Sequence, residues 1–391
     1  MSRRDRLPSV PFAVQVVLMA PRPVARMQGK TKGVVLGLGV FALAAAGAAV
    51  LRPARAPESN LSVRRLHWID VQVPTVPSDL ASLVLEGTEI HKTRCAVCHG
   101  EQGKGDGPGA ALLDHRPRDY TRGNFKFRTS PLGETPFDDD LFRTITCGIA
   151  AAGMPSFAAL PERDRWALVA CVKSLARRTD EDGETFNQFE MRPATQRVAY
   201  ATAGRSVSAD AARLGDALFH GSKGGCILCH GPEGKGDGIS SRDLKDDADL
   251  PIHPANLTRG LVGFKTGERP EDVFRVVTNG MAGTPMPSFR VNLSDEERWQ
   301  LACYVTSLFR PVPRGEAAFL VGGCKTCHTI GRGKLIGPDL AGVVARRGEE
   351  AMKTYLADRS APADGCAART AERGLAGTDA EALIAYLRDW R

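Results

Sequence analysis

The chain has 391 residues, with 52 Lys+Arg against 45 Asp+Glu and a formal net charge of +7. Residues 1–56 hold nine of the basic side chains and one acid, Asp5, so this stretch carries +8 and the rest of the chain carries −1. That distribution excludes nucleic acid, because phosphate neutralisation needs the positive charge on the folded body, and the body exceeds the usual length of one domain, about 100–200 residues.

The first feature in chain order is Gly33–Leu51, 19 residues without a charge, preceded by Lys30 and Lys32. As a helix it spans roughly 28 Å, close to the hydrocarbon thickness of a bilayer. The basic flank places its N-terminal end in the cytoplasm and the body across the membrane. Residues 1–56 are therefore expected to be a signal or anchor region, with the apolar segment 33–51 holding the body at the periplasmic face. Met27 is the expected start, since it gives a short basic stretch leading directly into the apolar run. Cleavage after Ala54-Arg55-Ala56, which would release the body into the periplasm, is the competing fate, and Pro57 opposes it.

Three C-x-x-C-H motifs follow: Cys95 to His99, Cys226 to His230 and Cys324 to His328. Two thiols at this spacing can add to the two vinyl groups of a haem while the adjacent imidazole is held against the iron. Zinc would require a second Cys/His pair for each motif, and the five other histidines are not paired. The motifs therefore predict three covalently bound haem c groups. They are attached at Cys95, Cys98, Cys226, Cys229, Cys324 and Cys327, with His99, His230 and His328 as iron ligands.

The first two motifs lie in a repeat. His99-to-Gly107 (HGEQGKGDG) matches His230-to-Gly238 (HGPEGKGDG), Tyr120-Thr121-Arg122-Gly123 parallels Leu257-Thr258-Arg259-Gly260, and Met154-Pro155-Ser156-Phe157 parallels Met286-Pro287-Ser288-Phe289. With these motifs the chain resembles three fused class I cytochrome c domains. The resemblance implies an all-α fold in which an N-terminal helix crosses a C-terminal helix and a methionine loop caps the haem. The expected domains are 80–178, 206–310 and 314–391, with 179–205 as a linker and Pro311-Val312-Pro313 as a short stiff connection.

Local signals agree. Gly87/His91, Gly215/Phe219 and Gly315/Phe319 each set a ring four residues after a glycine on the helix leading into a motif. Pro136 and Pro270 are expected in the first turns of helices running to Gly148 and Gly280. Ser294 with Glu297, and Thr378 with Glu381, have capping-box spacing, and Leu383, Leu387 and Trp390 fall on one helical face.

A methionine opposite the histidine suits electron transfer. Met154 and Met286 are the expected sixth ligands. Met281 sits opposite Ile149 in the repeat, so it reads as packing, as does His91. His67, His115 and His253 have no repeat partner and are expected to be non-ligands. The third domain has no Met-Pro. Met352 is expected in its core, and Cys366 competes with an open or otherwise filled site for its iron. Cys147 and Cys171 replace Asn279 and Tyr304 of the second repeat, which suggests a disulfide between them, whereas Cys303 reads as a buried thiol. Arg122 and Arg259 are either propionate partners or solvated loop arginines.

These readings describe a membrane-tethered periplasmic triheme cytochrome. It would relay single electrons between a membrane dehydrogenase or quinol-oxidising complex and a downstream acceptor, as a carrier rather than an enzyme. The alternative is a haem enzyme with a small-molecule redox site, for a sulfur compound for example, at the third haem.

Overall fold

The computed structural model describes residues 66–265, 267–357, 375 and 377–390, all within a compact unit that runs from Leu51 to Arg391. The apolar segment 33–51, the Met27 start, the Ala54-Arg55-Ala56 site and Cys366 lie outside the described residues. Among the described residues, no helix is long and apolar enough to cross a membrane.

Glycine decides how the helices meet. Helix α1 (Val84–Arg94) packs on α3 (Glu162–Leu175), with α2 (Asp138–Cys147) between them in sequence. Helix α4 (Ala209–His220) likewise packs on α6 (Asp295–Ser307), with α5 (Pro270–Asn279) between, and α7 (Arg314–Val321) packs on α9 (Thr378–Arg388), with α8 (Glu349–Ala357) between. A Cβ on Gly87 would stand 1.9 Å from the Ala167 carbonyl oxygen, one on Gly215 2.0 Å from that of Gln300, and one on Gly315 2.1 Å from that of Ala382. Only a residue without a side chain allows backbones so close. One turn later a ring fills the crossing. Phe219 meets Tyr304 at 5.2 Å and Phe319 meets Tyr386 at 5.9 Å between centroids. In the first pair the ring is His91, only 1% exposed, so its expected packing role holds.

Each helix pair carries its own apolar core, and we refer to the three as lobes. Phe142 packs at a tilt against Trp166 in the first, Phe274 against Trp299 in the second, and Met352 joins Leu383 and Ile384 in the third, as expected for Met352. Burying each of these large side chains contributes roughly 1.5–3 kcal/mol. Helices α2 and α5 stop at Gly148 and Gly280, whose φ angles of 65° and 64° end the helical run.

The helix signals are met unevenly. Pro270 opens α5, and Ser294 and Glu297 form the reciprocal cap of α6. Pro136, however, precedes the cap residue Phe137, so α2 starts two residues later than its proline suggests. Thr378 is already helical behind Gly377 and makes no side-chain cap, and Trp390 lies beyond α9 and is 45% exposed while Leu383 and Leu387 are buried.

The fold is mostly helical with little sheet. A hairpin of β1 (Arg177–Thr179) and β2 (Thr185–Asn187) spans the end of the expected first domain and the start of the expected linker, which then returns over the first lobe. Arg192 donates to the Arg122 carbonyl at 2.7 Å and to Asn124 at 3.0 Å, and Thr195 donates to Glu134. The periodicity is absent because these residues make polar contacts rather than an apolar face.

The first two lobes also touch directly. Asn279 donates to the Arg128 carbonyl and to the Tyr200 hydroxyl, both at 2.8 Å, and Arg128 donates to the Asn279 carbonyl at 3.1 Å. Before α1, Trp68 is gripped by both lobes. Its indole N–H donates to Thr144 at 2.9 Å, and the Arg143 and Arg275 guanidiniums stack on its ring at 5.3 and 4.3 Å.

Candidate functional site

Each of the first two motifs forms one short helical turn, Ala96–His99 and Ile227–His230, with the first cysteine just ahead of it. The glycine-rich segment then doubles back. Gly105 donates to the His99 carbonyl at 2.9 Å and Gly236 to that of His230 at 2.8 Å, while Gly107 and Gly238 bind the carbonyls of Cys98 and Cys229, both at 3.2 Å. The third motif uses a 3-10 turn, Cys324–Thr326, with His328 donating to the Cys324 carbonyl at 2.9 Å.

All three imidazoles are fixed in the same way. The Nδ1–H of His99 donates to the Arg118 carbonyl at 3.0 Å, that of His230 to Ala255 at 3.1 Å and that of His328 to Pro338 at 2.8 Å. This leaves Nε2 of each ring as the lone-pair donor. The next residue in each case is Asp119, Asn256 or Asp339, whose side chain accepts the backbone N–H two residues on, at 2.9, 3.0 and 2.8 Å. These Asx turns aim the carbonyl at the imidazole. The motif-by-motif comparison missed them, although an Asx residue two places before a small or hydroxyl residue is visible in all three segments. In the third lobe Gly337 clears the ring, because a Cβ there would lie 2.3 Å from His328 Cε1.

Burial tunes the donors. It holds the His99 imidazole neutral, down to about 4, and lowers His230 in the same direction. Tyr120 stacks on His99 at 4.7 Å and steadies it. Burial also pushes the Cys95 thiol up to about 12 and the Cys226 thiol up to about 11, keeping both as S–H.

The two methionine loops share a serine and an arginine anchor. Met154 pairs with Ile149 through backbone bonds of 2.9 and 3.1 Å, and the Met281 N–H binds the Met286 carbonyl at 3.1 Å. Ser156 and Ser288 donate to the carbonyls of Thr146 and Thr278 at 2.7 and 2.6 Å, and Arg165 and Arg298 donate to those threonine hydroxyls at 2.8 and 2.7 Å. Neither arginine was singled out from sequence, although both occupy the same place in the repeat.

The donors open on a large space. Cys226, Cys229, His230, Met281 and Met286 line a cavity of about 1320 Å³ that also reaches His328. Single-ligand pockets run to about 1,000 Å³, so this one has room for more than one large planar group. Two thiols and an oriented imidazole beside an apolar cavity fit a covalently held haem.

Some expectations are corrected. The Cys147–Cys171 disulfide is not formed. Cys171 occupies the place of the ring that meets Phe219 or Phe319 in the other lobes, so it faces α1, with its thiol 3.8 Å from Thr88 Oγ1, while Cys147 Sγ lies 3.2 Å from the Gly148 carbonyl. Cys303 is buried, as expected. Arg122 and Arg259 line the cavity, and each also ties one lobe to the next: Arg122 binds Asp119 and the Asp247 carbonyl, and Arg259 binds Glu316. Of the histidines expected to be non-ligands, His67 lies 3.5 Å from Asp272, and His115 and His253 line the cavity.

Sequence comparison finds a match in each of the first two lobes. Residues 82–171 and 210–305 match the family described as cytochrome C oxidase, cbb3-type, subunit III. These two segments are similar to class I cytochrome c domains. No curated protein matches this cytochrome. Among solved structures it is similar to a chain of the Kuenenia stuttgartiensis reducing HAO-like protein complex Kustc0457/Kustc0458, with 37% identity and a TM-score of 0.53 over 61% of this chain and 100% of that one. Its cytochrome c domains bind haem c covalently, and it is an electron-transfer haem protein.

Proposed function

We propose that this cytochrome carries three haem c groups and relays single electrons between a membrane dehydrogenase or quinol-oxidising complex and a downstream acceptor. It would be held at the periplasmic membrane face by residues 33–51. The carrying observation is that all three motifs present an imidazole whose Nδ1–H is bound to a carbonyl set by an Asx turn. Cys95, Cys98, Cys226, Cys229, Cys324 and Cys327 would hold the groups. Bound haem c supplies an iron that takes and returns one electron.

The chain supplies fixed ligands. His99, His230 and His328 would donate Nε2 to the iron, and Met154 and Met286 would supply thioether donors in the first two lobes. Clamping these loops through Arg165 and Arg298 limits rearrangement between redox states, which suits a carrier. Cys366 is the candidate donor in the third lobe. Complex formation is supported by the similar chain, which belongs to a protein complex. Intact mass should show three haem additions, and a redox titration should resolve three one-electron waves. Fewer additions, or a third site that binds cyanide or sulfite and turns the latter over, would sink this reading.

A further inference from the structure

One buried pair of side chains sets the first lobe apart from the other two. The carbonyls that fix the three imidazoles belong to Arg118, Ala255 and Pro338, and the second residue after each is Tyr120, Leu257 or Leu340. On the helix leading into each motif the ring is His91, Phe219 or Phe319. The first lobe thus has a histidine and a tyrosine where the others have a phenylalanine and a leucine. The backbone around this exchange is unchanged in the second lobe: the Tyr120 N–H donates to the Gly103 carbonyl at 2.7 Å and the Leu257 N–H to that of Gly234 at 2.6 Å. The Tyr120 ring stacks on His99 with centroids 4.7 Å apart and planes inclined by 24°. Phe125 stacks on Tyr120 at 6.1 Å and 19°, and His91 meets it edge-on at 6.1 Å and 65°. Gly103 makes the room, since a Cβ there would stand 2.5 Å from Tyr120 Cδ2. Tyr120 is 7% exposed and His91 1%. Burial pushes the His91 imidazole down, so the neighbouring ring stays neutral and adds no charge to the stack. A leucine, as at 257 and 340, has no π face to offer its imidazole.

We propose that Tyr120 is a positioning residue which, through its stack on His99, holds the potential of the first lobe below the value that a leucine there would give. This rests on the haem reading above and deepens it, because it gives one of three similarly built sites its own place on the redox scale. The physical cause is the ring's quadrupole. An imidazole whose Nε2 lone pair is drawn to an oxidised iron gains positive charge, and the negative face of an aromatic ring favours that charge. The groups around a ligand tune the metal it holds. A contact of this kind favours the oxidised state about fivefold, or about 40 mV at 59 mV per tenfold for one electron. The ring face carries this effect and the hydroxyl does not.

The test is a spectroelectrochemical titration of the holoprotein, its Tyr120→Leu variant and its Tyr120→Phe variant, with haem additions counted by intact mass. In Tyr120→Leu one wave should rise by about 40 mV while the others stay. Tyr120→Phe keeps the ring and loses the hydroxyl, so it should leave every wave in place. No rise in Tyr120→Leu overturns the proposal, and so does an equal rise in Tyr120→Phe, which would assign the effect to the hydroxyl. Movement of more than one wave also overturns it, since the stack reaches His99 alone among the three imidazoles fixed by carbonyls. If Tyr120→Leu loses haem, the double variant His91→Phe/Tyr120→Leu reproduces the Phe219 and Leu257 pair of the second lobe and reads the same shift. Fewer than three haem additions in the wild type, with one wave still rising in Tyr120→Leu and none in Tyr120→Phe, would refute the triple-haem reading and support the role of Tyr120.

Discussion

Replacing Gly215 by alanine tests the helix crossing on which the second lobe is built. The added Cβ would lie 2.0 Å from the Gln300 carbonyl oxygen, 2.5 Å from its carbon and 2.8 Å from Tyr304 Cβ. The first two of these are backbone atoms, so no rotamer change relieves the clash and α4 and α6 must move apart. Separation loosens the Phe219–Tyr304 contact and the buried Leu301 and Ala302. Overpacking costs roughly 1–3 kcal/mol, and the helix shift forfeits further packing, while alanine returns about 1 kcal/mol of helix propensity. A net loss of about 2 kcal/mol corresponds to a Tm lower by about 8–16 °C if the lobe of about 100 residues melts as a unit. Thermal melts followed by far-UV circular dichroism and by haem absorbance would measure it. A Tm unchanged or raised, as propensity alone gives, would refute the close-approach argument.

Asn279→Ala removes the 2.8 Å hydrogen bond to the Arg128 carbonyl of the first lobe and another to the Tyr200 hydroxyl. It should cost about 1–3 kcal/mol and lower the calorimetric Tm of the second lobe. Arg298→Ala frees Thr278 and with it the Met286 loop, so cyanide should displace the methionine about tenfold faster, while Arg298→Lys restores part of the restraint. Asp339 accepts the N–H of Ala341, then those of Gly331 and Gly333, which hold its carboxyl down to about 2 from an ordinary 3.8. A depressed carboxyl stabilises the fold above pH 3.8 and loses that contribution as pH falls through about 2. Acid titration followed by tryptophan fluorescence should therefore show a third-lobe transition in that window that Asp339→Asn removes.

The parts of this cytochrome that depend on local chemistry were legible in its sequence. The C-x-x-C-H spacing, the glycine-plus-ring crossings, the Met-Pro loops and the Ser294 cap all arise from residues close together along the chain. Whatever depends on another lobe was not legible. Asn279 and Cys147 mark the same place in two repeats, and sequence showed only that they differ. The structure gives a reason on one side: Asn279 reaches the Arg128 carbonyl of the first lobe across an interface. Arg122 and Arg259 recur for the same reason, since each holds the following lobe. The pairing of Cys171 with α1 instead of Cys147 was also hidden, because the helical period alone does not say which neighbour a face meets.

Trp68 carries a mechanical implication. An arginine from α2 and one from α5 grip the same indole, so a pull on the chain just ahead of it loads two lobes together. The lead-in segment thus works as a bridle rather than a leash. The load passes into the seam between the first two lobes, where Trp68 meets Thr144, Arg143 and Arg275.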